Sequence, residues 1–120
     1  MNAVPRVLIV DRSPESREIL RVLLELRGAA TLEADRPQEA VQLTDRFRPD
    51  LIVLDSESDD SANGDATKNL RDAASRNDTP IVILGTLRAL GNPIAQGQIV
   101  AKPYHYAPLI RKIDDVLAAA

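Results

Sequence analysis

Leu51-Ile52-Val53-Leu54-Asp55 decides how this chain is read. Four apolar residues in succession, with polar sequence on either side, predict a strand buried on both faces, as in parallel sheets covered by helices. The run stops on an acid, and in open parallel α/β sheets the carboxyl ends of the strands open onto the crevice where ligands sit. Asp55 is therefore expected at a mouth. Arg6-Val7-Leu8-Ile9-Val10-Asp11 repeats the device upstream, so two carboxylates are expected to face one crevice.

Outward from these two runs the chain alternates strand and helix. Ser13-Pro14-Glu15 has the composition of a helix start, with a capping hydroxyl, a proline whose missing N–H is harmless there, and an acid in the first turn. Ile19, Leu20, Leu23, Leu24 and Leu26 follow as an apolar face, and Gly28 stands where a left-handed terminating residue is wanted. Ala30 to Ala34 is a short strand. Asp35 with Gln38 resembles a capping box, and Ala40, Val41, Leu43, Thr44 and Phe47 fall at helical spacing. After the central strand, Ser56 to Gly64 is a polar loop with an Asn63-Gly64 turn signal. A helix from Asp65 to Arg76 and a strand at Ile81-Val82-Ile83-Leu84 come next. Between Gly85 and Gln98 the sequence gives at most a short or irregular fourth helix, because Gly91-Asn92-Pro93 interrupts it. Ile99-Val100-Ala101 is the last strand, followed by Lys102-Pro103. Leu109, Ile110, Ile113, Val116 and Leu117 mark a final amphipathic helix. Five strand–helix alternations predict an α/β fold, a doubly wound parallel sheet with helices on both faces.

Composition narrows the function. At 120 residues the chain is expected to form a single domain. Lys+Arg 15 against Asp+Glu 18 leaves a net charge of −3, so no basic surface for direct nucleic-acid binding is expected. The absence of cysteine excludes a disulfide framework and a thiol nucleophile. Met1 to Arg6 lacks the apolar core of a signal peptide, and no apolar run approaches the roughly 18 residues of a membrane span. A cytoplasmic protein without membrane association is the expectation.

Val7-Leu8-Ile9-Val10-Asp11, Pro49-Asp50-Leu51-Ile52-Val53-Leu54-Asp55 and Val100-Ala101-Lys102-Pro103, in this order, resemble the receiver domain of two-component response regulators over residues 1–120. The resemblance implies a flavodoxin-like (βα)5 fold with strand order 2-1-3-4-5. It further implies that Asp55 is the phosphoacceptor, that Asp11 belongs to an acidic Mg²⁺ site completed by Asp55 and the backbone carbonyl of Glu57, and that Lys102 contacts the phosphoryl group. The Lys102-Pro103 bond is expected to be cis, which proline tolerates at about 0.5 to 1 kcal/mol. The implied partners are a histidine kinase or phosphotransfer protein and a downstream protein, with room for a homodimer through the last helix. No enzyme activity is implied beyond self-phosphorylation from a phosphodonor and autodephosphorylation. Such chemistry needs little more than a positioned carboxylate and charge neutralisation.

This chain departs from the family pattern at several points. Where a second acid usually follows the first, it has Arg12. A guanidinium about 5 Å from Mg²⁺ would be repelled by several kcal/mol at an effective dielectric near 20. That compares with about 4 kcal/mol of binding at a millimolar site. Arg12 either points inward, as a counter-ion to Asp55, or swings out to water. The inward case defines an alternative function, a phosphorylation-independent receiver-like adaptor in which Arg12 pairs with Asp55. The loop after Asp55 is one residue longer than usual, and Glu57, Asp59 and Asp60 are either a solvated loop or replacement metal ligands. The hydroxyl expected at the end of the fourth strand is matched by Gly85, and only a one-residue shift supplies Thr86. Ile99 stands at the usual aromatic switch position, and Tyr104 and Tyr106 are either packing or partner surface. A flavin carrier shares the layout but needs a glycine- and hydroxyl-rich phosphate loop, which Arg12 to Ser16 does not provide.

Overall fold

The computed structural model of the protein describes residues 4–85, 97–101 and 104–119. In chain order come β1 (Arg6–Val10), α1 (Pro14–Leu26), β2 (Ala30–Ala34), α2 (Pro37–Phe47) and β3 (Leu51–Asp55). Two 3-10 turns follow (Ser56–Ser58 and Ala62–Gly64), then α3 (Asp65–Arg76), β4 (Ile81–Gly85), β5 (Gly97–Ala101) and α4 (Tyr106–Ala119). The strands are parallel in the order β2-β1-β3-β4-β5, as expected. The short helix expected between β4 and β5 falls at residues 86–96, outside the described residues.

The central strand owes its apolar run to two cores. Strand side chains alternate faces, so Leu51 and Val53 join Val7, Ile9, Val82 and Leu84 under α1 and α4. Ile52 and Leu54 join Leu8, Val10, Ile81 and Ile83 under α2 and α3, against Ala40, Leu70 and Ala74. A strand with helices on both sides has no polar face. Asp11 and Asp55 continue the odd-numbered alternation and so extend the α1–α4 face to the carboxyl end of the sheet.

Local signals place the ends of α1 but mislead at the start of α2. Ser13 caps α1, its hydroxyl accepting from the Ser16 amide at 3.3 Å, and Pro14 opens the helix. Gly28 is left-handed at φ +90°. The capping box expected at Asp35 and Gln38 is not formed: Pro37 takes the first helical position, which makes Arg36 the cap residue, without a side-chain hydrogen bond. Asp35 is thereby one residue too early and pairs with Arg36 at 3.9 Å. The apolar face of α1 is also wider than the sheet can cover. Leu20 and Leu24 are buried, whereas Ile19, Val22 and Leu26 are exposed. Finally, β5 begins at Gly97, two residues before the expected Ile99, and pairs along its whole length with β4.

Helix α2 ends on Arg48, a non-glycine residue held left-handed at φ 48° before Pro49. An L side chain is strained there, by roughly 1–2 kcal/mol, and glycine is not. Its larger unfolded-state entropy offsets part of the relief, so Arg48→Gly is expected to raise stability by about 0.5 kcal/mol. Urea midpoints of the two proteins check this. A lower midpoint for the glycine variant would show that the Arg48 side chain contributes more than its backbone strain costs.

Candidate functional site

Asp11 and Asp55 come together because their strands are neighbours. Val10 and Leu54 are register partners, so the next residue of each strand stands one strand spacing apart, about 5 Å. Both are buried, at 7% and 9% exposure. Each is pinned by the same local device. Asp11 Oδ1 accepts the amide of Ser13 at 2.9 Å, and Asp55 Oδ1 accepts the amide of Glu57 at 3.0 Å. An aspartate that accepts from the amide two residues ahead shapes the chain as it leaves the strand. The Asp55 carbonyl accepts the Ser58 hydroxyl at 2.6 Å, which holds the first 3-10 turn against the strand end. Two carboxylates thus stand side by side on one face at the carboxyl end of the sheet.

Arg12 is turned away from this pair. Its guanidinium meets Asp60 at 3.7 Å with both side chains more than half exposed, a pair worth at most about 1 kcal/mol. The Arg12–Asp55 pairing that the adaptor reading requires is therefore not made. The long side chain carries its charge to water and finds an acid of the lengthened loop on the way.

Asp59, a second acid of this loop, is engaged as well. Asp59 Oδ1 accepts the Ser61 amide at 2.8 Å and its hydroxyl, and Oδ2 accepts the Thr67 amide at 2.9 Å and its hydroxyl at 2.6 Å. Ser61 in turn accepts the Ala66 amide at 2.9 Å. The cap residue of α3 is Gly64, which has no side chain to offer. Asp59 and Ser61 therefore satisfy the orphan amides of its first turn from a distance. Burial pushes the Asp59 carboxyl up, but the hydrogen bonds from Ser61 and Thr67 outweigh it and leave the pKa below the usual carboxylate value. Asp59 is a remote helix cap, and its oxygens are spent on α3.

Two residues near the acidic pair escaped the sequence reading as parts of a site. Arg17 donates from Nη1 to the Asp11 carbonyl at 2.7 Å and from Nε to Glu33 of β2 at 3.2 Å, with its side chain 19% exposed. Its one sequence signal is a cation close to the N-terminus of α1, where the helix dipole disfavours it. Tyr104 is half-buried against the α1–α4 core and meets Tyr106 edge to face at 5.6 Å. Burial, Tyr106 and the negative charges of Asp11 and Asp55 hold its phenol well above the usual range. Tyr104 is therefore both packing and a neighbour of the acids. Thr86 and Lys102, with the Lys102-Pro103 bond, lie outside the described residues. Strand β4 itself ends on Gly85.

The donor chemistry suits a hard divalent cation. Asp11 and Asp55 offer carboxylate oxygens, and among the described residues no group of three His, Cys, Asp or Glu side chains forms a metal cluster. Mg²⁺ keeps several waters and is often held by one or two carboxylates, so a pair fits it.

Residues 7–113 match the response regulator receiver domain family. Protein PilH of Pseudomonas aeruginosa is 28% identical over 118 residues, spanning 94% of this chain and 98% of its own. Transcriptional regulatory protein YdfI of Bacillus subtilis is 36% identical over 83 residues, 68% of this chain. Those residues make up 38% of YdfI, so the chain spans well under half of that relative. The crystal structure of the chemotaxis response regulator CheY4 of Vibrio cholerae superposes with a TM-score of 0.76 at 24% identity, covering 95% of this chain and 99% of that one. That likeness is one of fold.

Proposed function

The chain belongs to the response regulator receiver domain family, and from that premise we propose that residues 1–120 form one divergent receiver that accepts a phosphoryl group at Asp55 in two-component phosphorelay signalling. The observation that carries this is the pair of buried aspartates, Asp11 and Asp55, at the ends of adjacent parallel strands. Asp55 is the nucleophile: a carboxylate oxygen bonds to phosphorus as the bond from phosphorus to the donor's leaving atom breaks, giving an acyl phosphate. The Glu57 amide on Oδ1 orients the carboxylate for this step. Asp11, Asp55 and the Glu57 carbonyl would hold Mg²⁺, which supplies charge neutralisation for the phosphoryl oxygens when bound. Lys102 adds a second positive charge at the phosphoryl group, and Thr86 the hydroxyl that Gly85 lacks. Chemistry is confined to self-phosphorylation and autodephosphorylation.

The donor in this reading is a histidine kinase or phosphotransfer protein, and the output is contact with a downstream protein, with homodimerisation through α4 as a further mode. The cytoplasm is the compartment this implies, and among the described residues no helix is long and apolar enough to cross a membrane. The test is incubation with acetyl phosphate, with and without Mg²⁺, followed by intact mass. A phosphoryl adduct that needs Mg²⁺ and disappears with chelator is expected. A folded chain that takes up nothing beside an active ordinary receiver, and nothing from phosphorylated histidine kinases, would sink the reading.

A further inference from the structure

We propose that Arg17 is the positioning residue of the acidic pair, holding the loop that carries Asp11 in a metal-binding geometry and being itself held by Glu33. This inference rests on the reading of Asp11 and Asp55 as a Mg²⁺ site. The Ser13 amide on Asp11 Oδ1 ties the loop from within, and Arg17 ties it from the helix side. The Asp11 amide bonds the Ala34 carbonyl at 3.1 Å, the last backbone bond tying this part of the chain to β2. Its carbonyl lies beyond the register partners of β1 and β3, which end at Val10 and Leu54. Arg17 takes that carbonyl at 2.7 Å and approaches the Arg12 carbonyl at 3.5 Å. Both are charge-assisted contacts, and the shorter is of the strong kind.

The fork is anchored from the other side. Nε of Arg17 bonds Oε1 of Glu33 at 3.2 Å, and Arg21 approaches Oε2 of the same carboxylate at 3.9 Å. Glu33 sits on β2, and its register partner is Ile9, two residues before Asp11. The strap therefore runs from a rigid strand, through a planar guanidinium, to the first two carbonyls of the loop. Rotation of the Asp11–Arg12 peptide would break the 2.7 Å bond and carry away the Ser13 amide that orients the Asp11 carboxylate.

Charge and positioning make opposite predictions, so the proposal can be tested cleanly. Arg17→Gln removes a positive charge from beside Asp11, and on charge alone Mg²⁺ would bind more tightly. As a positioning residue its loss weakens Mg²⁺ by about tenfold or more, the usual effect of removing a group that orients a metal ligand. The measurement is a Mg²⁺ titration of the full chain by calorimetry and tyrosine fluorescence, with circular dichroism to establish folding. Arg17→Lys, which keeps the charge but not the fork, is expected to fall with Arg17→Gln. Glu33→Gln leaves Arg17 a neutral acceptor in place of its charged anchor and is expected to weaken Mg²⁺ by a smaller factor in the same direction, a loss that persists at high salt, where the missing carboxylate charge is screened. Affinity unchanged or tightened in folded Arg17→Gln overturns the inference while leaving the metal site standing. If Arg17→Gln does not fold, an unchanged affinity in Glu33→Gln overturns it equally. A parent chain that binds no Mg²⁺ overturns the metal-site reading and the inference together.

Discussion

Arg12→Asp is expected to tighten Mg²⁺ binding by about tenfold at physiological ionic strength. The substitution changes the charge beside Asp11 by two units. For a group about 8 Å from a divalent ion and an effective dielectric between about 40 and 60, that is worth about 3 to 4 kcal/mol before screening. One Debye length of screening leaves somewhat over 1 kcal/mol, close to a factor of ten. The outward turn of Arg12 sets this size: an inward guanidinium, at the closer distance, would make the gain several kcal/mol larger. Losing the exposed pair with Asp60 subtracts little. Arg12→Ala should give about half the free-energy gain, and both gains should grow as salt is lowered. Affinities that do not move at low salt would show that Arg12 has no electrostatic hold on the site.

Asp59→Ala is expected to cost about 2 kcal/mol of stability, at the upper end for a helix cap because one charged side chain accepts from both Ser61 and Thr67. Removing it leaves the first turn of α3 with the Ser61 hydroxyl alone, on Ala66. The linked pH dependence has a definite sign. The folded pKa of Asp59 lies below its ordinary 3.8, so its contribution is complete above that value and is lost as pH falls through the folded pKa. The parent should therefore lose stability on acidification more steeply than Asp59→Ala, and the two should converge in acid. Urea unfolding at neutral pH and at about pH 3 checks both points. Equal midpoints at neutral pH would contradict the cap.

What the sequence revealed was whatever its neighbours alone determine. The apolar runs ending on Asp11 and Asp55 announced a sheet covered on both sides, and Ser13-Pro14 and Gly28 bounded α1 because a cap depends on the few residues around it. Asp35 misled because Pro37, two residues on, moved the helix start. Asp59 was unreadable as a cap, since a glycine N-cap sends the search for a partner back along a loop whose path no local rule supplies. The direction of Arg12 depended on Asp60, and the grip of Arg17 on Asp11 depended on Glu33 of the neighbouring strand. Both are contacts between elements. The start of β5 at Gly97 followed from pairing with β4, since Gly97 and Gln98 carry no strand pattern of their own.

The residue that carries the phosphoryl group is the most direct test of the central claim. The chain is labelled with acetyl phosphate and Mg²⁺, reduced with borohydride to fix the acyl phosphate as an alcohol, and mapped by peptide mass beside Asp55→Asn. Reduction at Asp55 in the parent, with none anywhere in the variant, is the predicted result. Label at another residue, or equal uptake by Asp55→Asn, would contradict it.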